Sequence, residues 1–246
     1  MTHAPLSVPM LGPDQIHVWR VRLNQNPDRI PELKTILSNE ERDHAERFHF
    51  EKDRKQFIES RAALRQLLGQ YRDVAPEDLT FTRSAYGKPA LANGDLRFNL
   101  SRRDGLALIA VTRGREIGVD VELVRPDLDL FEIAEVSFSE NELATLKALP
   151  ESDQPAGFYN CWTRKEAFVK AVGEGFSFPL KQFDVSLTPG EPARLISVHR
   201  KDPAADPIAA AARWFLQDIA VPDGYVAALA YEAPEVIVTC IDWASS

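Results

Sequence analysis

Residues 162–170 have the sequence Trp-Thr-Arg-Lys-Glu-Ala-Phe-Val-Lys, and residues 118–122 have the sequence Gly-Val-Asp-Val-Glu. The first pattern predicts a helix and the second a buried strand. On a strand, Asp120 and Glu122 point to the same face. On a helix, Glu166 and Lys170 share a face because they are four residues apart. Three carboxylates and a lysine that converge in this way suit a divalent cation bridging phosphate oxygens.

Length, charge and composition exclude several classes of protein. The 246 residues suffice for one large domain or two small ones with a substantial core. A net charge of −8 disfavours nucleic-acid binding. No apolar run approaches the roughly 18 residues of a membrane span, and residues 1–13 lack a secretory-signal pattern, so we expect a loose N-terminal tail. Two cysteines without metal-ligand spacing suit free thiols in the cytoplasm.

The chain also repeats itself weakly. Residues 38–41 (Ser-Asn-Glu-Glu) and 139–142 (Ser-Glu-Asn-Glu) both have the Ser-x-x-Glu pattern of a helix capping box. Each box follows a strand-like segment and precedes a long helical pattern. Residues 104–110 similarly resemble residues 223–229, and both are typical of a turn entering a buried strand.

This repeat predicts an α+β fold built as a pseudo-dimeric chain of two similar halves. We expect the first half at residues 14–115 and the second half, which carries the acidic residues, at 116–243. The cleft between the halves is the expected site, because ligands favour clefts at domain interfaces.

The acidic and basic candidates also have ordinary structural explanations. Asp120 could accept hydrogen bonds from the backbone or an arginine, and Glu166 with Lys170 could form a surface ion pair. A lysine in the Gly-Lys-Pro turn at residues 87–89 is usually just exposed. The like charges of Asp120 and Glu122 on one face favour the metal site, because they repel unless a cation lies between them.

Four stretches together resemble the Sfp-type 4′-phosphopantetheinyl transferases. They are Gly-Lys-Pro at 87–89, Phe-Asn-Leu-Ser at 98–101, Gly-x-Asp-x-Glu at 118–122 and Trp-x-x-Lys-Glu-Ala-Phe-x-Lys-Ala-x-Gly-x-Gly at 162–175. Their order and spacing match over most of the chain, and the last two motifs at this separation are specific to that superfamily. The family's pseudo-dimeric fold agrees with the internal repeat.

The resemblance implies an enzyme that transfers 4′-phosphopantetheine from coenzyme A to a serine of an apo acyl, peptidyl or related carrier protein, releasing adenosine 3′,5′-bisphosphate. The implied ligands of its Mg²⁺ are Asp120, Glu122 and Glu166. The implied catalytic residues are Glu166, Lys170 and Lys165. The implied coenzyme A site comprises Arg47, Arg61, Lys88, Pro89, Ser101 and Arg102.

Two positions depart from the family pattern, and one is His44, which stands where the family commonly has a basic residue upstream of an Arg-Phe pair. After Asn99-x-Ser101 the family usually has a histidine that approaches the 3′-phosphate of coenzyme A, whereas this chain has Arg102. Arginine still offers a permanent positive charge to a phosphate, so we expect coenzyme A binding to persist.

Two alternative functions remain open from the sequence. One is a metal-dependent pyrophosphate hydrolase that uses the same carboxylates with water as the nucleophile. The other is a non-catalytic module that binds coenzyme A or a carrier protein. From the charge, the apolar pattern and the cysteines we expect a cytoplasmic protein without nucleic-acid or membrane partners. We also expect a monomer, because one chain already contains the cleft.

Overall fold

The computed structural model describes residues 8–24, 26–175, 178–199, 207–232 and 236–244. No helix within these ranges is long and apolar enough to cross a membrane. The helices in these ranges are α1 (Ile30–Thr35), α2 (Asn39–Glu46), α3 (Glu51–Arg72), α4 (Leu130–Ser137), α5 (Glu140–Ala148), α6 (Gln154–Val172) and α7 (Pro207–Ala211). The strands are β1 (Gln15–Arg22), β2 (Phe81–Arg83), β3 (Pro89–Leu91), β4 (Leu96–Arg103), β5 (Leu106–Arg113), β6 (Ile117–Leu123), β7 (Phe183–Val185), β8 (Leu195–Val198), β9 (Trp214–Asp218), β10 (Tyr225–Glu232) and β11 (Ile237–Trp243).

Two main sheets repeat one topology. The first has the strand order β11-β1-β5-β4 and the second the order β6-β10-β9. The pairs β1–β5, β5–β4, β6–β10 and β10–β9 are all antiparallel. A short two-stranded ribbon, β2-β3 in one half and β7-β8 in the other, follows each long helix. The prediction of two similar α+β halves is confirmed, and the boundaries at residues 115 and 116 remain a prediction.

The sheets pack face to face, with α3 outside the first and α6 outside the second. Alternate residues of β5 show this layering. Ile109 and Val111 join a core with Leu67 of α3. Leu108 and Ala110 join a core shared with the strands of the second sheet. The continuous apolar run of β5 is therefore buried on both faces, as its sequence predicts.

Both predicted capping boxes are present. The Ser38 side chain accepts a hydrogen bond from the Glu41 backbone, while the Glu41 carboxylate accepts one from the Ser38 backbone. Ser139 and Glu142 make the same reciprocal pair at the start of α5. Each box gives a hydrogen-bond acceptor to two backbone N–H groups that would otherwise lack partners at the helix start.

Two expectations about the ends of the chain need correction. The last strand, which we expected in the second half, pairs in parallel with β1 of the first sheet, with Val18 opposite Cys240. The tail predicted at 1–13 is not loose where it is described, because the apolar Leu11 is buried in the core between α3 and the first sheet and its carbonyl accepts a hydrogen bond from Arg113. Residues 1–7 of that tail lie outside the described residues.

Gly118 allows α6 to lie directly on β6. A Cβ atom at this position would stand 2.2 Å from the Ala167 carbonyl oxygen and 2.3 Å from the Ala171 nitrogen. Both are backbone atoms, so neither can turn aside as a flexible side chain would. A residue without a side chain is therefore required where the strand and the helix meet.

We expect Gly118→Ala to destabilise the protein by about 1–3 kcal/mol, because the added methyl group pushes α6 away from β6. Urea denaturation would measure the loss. Gly12→Ala is the matched control, because the atoms nearest to a Cβ there belong to the Gln15 side chain, at 3.4 Å. We expect the control to change stability by less than about 0.5 kcal/mol. Equal stability of the two variants would contradict this account of the close contact.

Candidate active site

A cavity of about 950 Å³ lies where elements of both halves meet. The first half contributes Lys88, Pro89, Ser101 and Arg102 to its lining. The second half contributes Asp120, Glu122, Glu166 and Lys170. The structure therefore brings most of the predicted site residues into one cleft between the halves.

Asp120 lies at the centre of this cleft on β6 and is only 4% exposed. Its Oδ1 accepts hydrogen bonds from the Lys170 ammonium group at 2.5 Å and from the Ser101 hydroxyl at 3.0 Å. Its Oδ2 is buried and has no hydrogen-bond partner among the described residues. A buried carboxylate oxygen without a partner is costly, so it is well suited to receive a cation.

Side chains of β4 hold the open edge of β6, and we name this contact the polar seam. It consists of four pairs in chain order: Arg97 with Glu116, the residue just before β6, and then Asn99 with Val119, Ser101 with Val121 and Arg103 with Glu122. The two inner pairs are hydrogen bonds from β6 backbone N–H groups, at 2.9 Å to Asn99 Oδ1 and 3.3 Å to Ser101 Oγ. The two outer pairs are ion pairs. The seam joins the halves and sets Asp120 beside Ser101.

The two other acidic residues face the same cleft. Burial, and then the negative charge of Asp120, raise the pKa of Glu166 above that of an ordinary glutamate. The same two causes raise the pKa of Glu122, while the charge of Arg103 and a hydrogen bond from Trp162 act in the opposite direction. Both carboxylates are thus held where their negative charge is unfavourable, so a cation between them would be stabilising.

The donor set fits a magnesium ion in its chemistry. Three carboxylates supply only oxygen ligands, which a hard divalent cation prefers, and the buried Oδ2 of Asp120 has no other partner among the described residues. Within the described part of the chain, however, no three His, Cys, Asp or Glu side chains already surround a common point. Lys170 and Arg103 instead contact Asp120 and Glu122. A metal ion at this point would compete with Lys170 for Asp120 Oδ1 and with Arg103 for Glu122 Oε2, whereas Asp120 Oδ2 is open to it.

Lys88 lines the cleft, but its ammonium group is already paired within the protein. Its ammonium group donates to the Glu116 carboxylate at 2.6 Å and to the Ala171 carbonyl at 2.7 Å. Burial lowers its pKa. Gly173 ends α6 in the left-handed conformation, as predicted, and a Cβ there would collide with the Lys88 side chain. Lys88 therefore ties the end of α6 to the first half.

Arg102 lies on the opposite face of β4 from the seam. Its guanidinium carbon is 5.2 Å from the ring centres of both Phe48 and Phe57. These aromatic contacts hold a half-buried positive charge at the edge of the cleft, where burial lowers the arginine's pKa.

Three predicted residues do not line this cavity. Lys165 is 1% exposed and is buried within the second half, where it pairs with Glu142 at 2.6 Å and donates to the Phe183 carbonyl. Arg61 pairs with Glu41 and lies over the Phe81 ring. Arg47 is exposed at the end of α2. The expectations that Lys165 acts in catalysis and that the two arginines contact the nucleotide end are therefore not supported by their positions.

Two residues at the site were not assigned to it from the sequence. Arg103 pairs with Glu122 at 3.0 Å, and Trp162 lines the cavity beside Glu166. The alternation of polar residues at 97, 99, 101 and 103 was a usable signal for Arg103, because alternate strand residues share a face. The four-residue spacing of Trp162, Glu166 and Lys170 was the corresponding signal on α6.

Comparisons with known proteins identify the family. Residues 116–230 match the family described as 4′-phosphopantetheinyl transferase superfamily, and residues 25–113 match that described as 4′-phosphopantetheinyl transferase, N-terminal. The chain is 37% identical over 221 residues to the 4′-phosphopantetheinyl transferase HetI of Nostoc sp., covering 88% of this chain and 87% of HetI. It is 32% identical over 154 residues to the 4′-phosphopantetheinyl transferase Sfp of Bacillus subtilis, covering 62% of this chain and 67% of Sfp.

A human relative is more distant. The L-aminoadipate-semialdehyde dehydrogenase-phosphopantetheinyl transferase of Homo sapiens is 27% identical over 177 residues, covering 66% of this chain and 57% of that protein. One family match lies in each half of the cleft, and the HetI alignment covers most of the chain. The chain therefore belongs to the 4′-phosphopantetheinyl transferase superfamily, as an Sfp-like enzyme that modifies carrier proteins.

The raised pKa of Glu166 predicts how the metal-free protein's stability depends on pH. A carboxyl group whose pKa is higher in the folded state contributes stability below its unfolded pKa and loses it as pH rises through the folded pKa. At pH 7, with chelator present, we expect Glu166→Gln to be more stable than the wild type. Below about pH 4 the difference should vanish, because both side chains are then neutral.

Urea midpoints at the two pH values would test this expectation. The exposed Glu151 provides a control, since Glu151→Gln makes the same change in charge away from the cleft. A lower midpoint for Glu166→Gln than for the control at pH 7 would contradict the assignment of a destabilising charge to Glu166.

Proposed function

We propose that this chain transfers the 4′-phosphopantetheine group of coenzyme A to a serine hydroxyl of an apo carrier protein, with Mg²⁺ as cofactor. The carboxylate cluster of the cleft carries this proposal, above all the buried Oδ2 of Asp120, which has no partner among the described residues. Asp120, Glu122 and Glu166 would hold the metal ion. When bound, such an ion neutralises charge on the pyrophosphate oxygens and so lowers the barrier to transfer.

The reaction is an in-line displacement at phosphorus. The serine oxygen forms a bond to the β-phosphorus of coenzyme A, and the bond from that phosphorus to the bridging oxygen breaks. Adenosine 3′,5′-bisphosphate leaves with the bridging oxygen. Glu166 lines the cleft beside Asp120 and Lys170, and we propose that it takes the serine proton, directly or through a water.

Positive charge for the phosphates comes from both halves. Lys170 extends from α6 into the cleft. Its side chain is 29% exposed, and its ammonium group contacts Asp120 and Ser101. We propose that it stabilises charge on the transferring and leaving phosphates. Lys88, Pro89, Ser101 and Arg102 would line the coenzyme A site. Because one chain supplies both walls, a monomer suffices.

Intact-mass measurement of carrier proteins tests the proposal. The purified chain would be incubated with coenzyme A, Mg²⁺ and a panel of apo carrier proteins. We expect a gain of one phosphopantetheine group on at least one carrier, and its loss with chelator. Asp120→Asn and Glu166→Gln should slow the transfer by about 100-fold or more, whereas the exposed control Glu151→Gln should leave it unchanged.

Two outcomes would contradict the transferase proposal. Release of phosphopantetheine without a carrier would indicate a pyrophosphate hydrolase. Coenzyme A binding by calorimetry without modification of any carrier would indicate a binding module.

Arg102 is expected to affect substrate binding more than chemistry. The resemblance places it where related enzymes use histidine near the 3′-phosphate of coenzyme A, and here Phe48 and Phe57 hold its guanidinium group. We expect Arg102→His to change KM for coenzyme A by about three- to tenfold, which is the scale of one ordinary hydrogen bond, with a smaller change in kcat. Steady-state kinetics with a single carrier would measure both. A change confined to kcat would contradict the proposed contact.

A further inference from the structure

We propose that Arg103 is an internal counter-cation for the carboxylate cluster. Its ion pair with Glu122 keeps that carboxylate from binding a divalent cation until the pair opens. This inference rests on the proposed function, because it assumes that Glu122 is a metal ligand. It assigns to Arg103 a positioning role that sets the affinity of the free enzyme for its metal ion.

The first observation is the contact itself. Arg103 Nε lies 3.0 Å from Glu122 Oε2, and the two side chains are 41% and 20% exposed. The glutamate is thus largely enclosed, while the arginine remains accessible from solvent. An ion pair of this kind can open without unpacking a core, because one partner already contacts water.

The second observation is the charge around Glu122. The carboxylate shares the cleft with Asp120 and Glu166, and the charge of Asp120 acts on both of the other carboxyl groups. Lys170 compensates Asp120 directly at 2.5 Å. Arg103 does the same for Glu122, so two positive groups of the chain contact two of the three acidic residues.

The third observation is that the cluster is not yet assembled. Among the described residues, no three potential ligand side chains surround a common point. Arg103 holds the Oε2 atom of Glu122, so an ion that takes this oxygen must displace the arginine. The arginine therefore competes with the divalent cation for the same carboxylate, and each weakens binding of the other.

The seam also offers a second ion pair of similar construction. Arg97, on the same strand, pairs with Glu116 at 3.6 Å, and the two side chains are 40% and 41% exposed. Unlike Asp120, Glu122 and Glu166, Arg97 is not among the residues that line the cavity. Replacing it removes the same charge from the same strand, so it separates a local effect at Glu122 from a general change in net charge.

Direct binding of Mn²⁺ to the free enzyme tests the proposal without relying on activity. We expect Arg103→Ala to bind Mn²⁺ roughly fivefold more tightly than the wild type, which is the scale of one partly exposed ion pair. Arg103→Lys, which keeps the charge but not the planar fork, should fall between the two. Arg97→Ala should stay within about twofold of the wild type. Electron paramagnetic resonance would count free Mn²⁺, and circular dichroism would check that each variant is folded.

The outcomes separate this inference from the proposed function. Unchanged or weaker Mn²⁺ binding by Arg103→Ala, with normal carrier modification by the wild type, would overturn the role of Arg103 and leave the transferase proposal standing. An equal gain for Arg103→Ala and Arg97→Ala would also overturn it, because net charge would then explain the effect. A wild type that neither binds Mn²⁺ nor modifies any carrier would overturn both proposals.

Discussion

The rest of the site depends on how the open edge of β6 is satisfied. Among the described residues, this strand has a backbone partner, β10, on one side only. On the other side its N–H groups donate to the side chains of Asn99 and Ser101. Buried backbone donors must find partners, and here side chains rather than another strand supply them. This fixes the register between the halves and sets the Asp120 carboxylate against the Ser101 hydroxyl.

In the second half, packing of α6 on β6 places further side chains beside Asp120. The absence of a side chain at Gly118 lets α6 touch β6, so that Glu166 and Lys170 project into the cleft beside Asp120. The Lys88 side chain then ties the end of that helix to the first half. Backbone contact, a side-chain tie and the polar seam together hold acidic and basic groups at hydrogen-bonding distance. Such positioning is the main contribution that a protein makes to phosphoryl transfer.

Much of this arrangement could be predicted from the sequence, because its causes are local. Capping boxes, a strand buried on both faces and the shared faces of Asp120 with Glu122 and of Glu166 with Lys170 all follow from short-range spacing. The placement of β11 beside β1 could not be predicted, since an alternating pattern identifies a strand but not its neighbour. The position of Arg61 depended on Glu41, a partner 20 residues away. The expectation that Lys165 acts in the cleft could have been avoided. Lys165 is adjacent to Glu166 in the chain, and neighbouring helix residues do not face the same way, so it does not share the face of Glu166 and Lys170.

The parallel pairing of β1 with β11 has a consequence for synthesis of the chain. The first sheet begins with residues made early and is completed by Ile237–Trp243, after the whole second half has been translated. Arg20 and Asp242, joined by two hydrogen bonds of 2.8 and 2.9 Å, bridge this separation. The N-terminal half therefore leaves the ribosome with one edge of its sheet unpaired. Until β11 is made, β1 has no partner on that side. An exposed strand edge during that interval is a point at which aggregation or chaperone binding can begin.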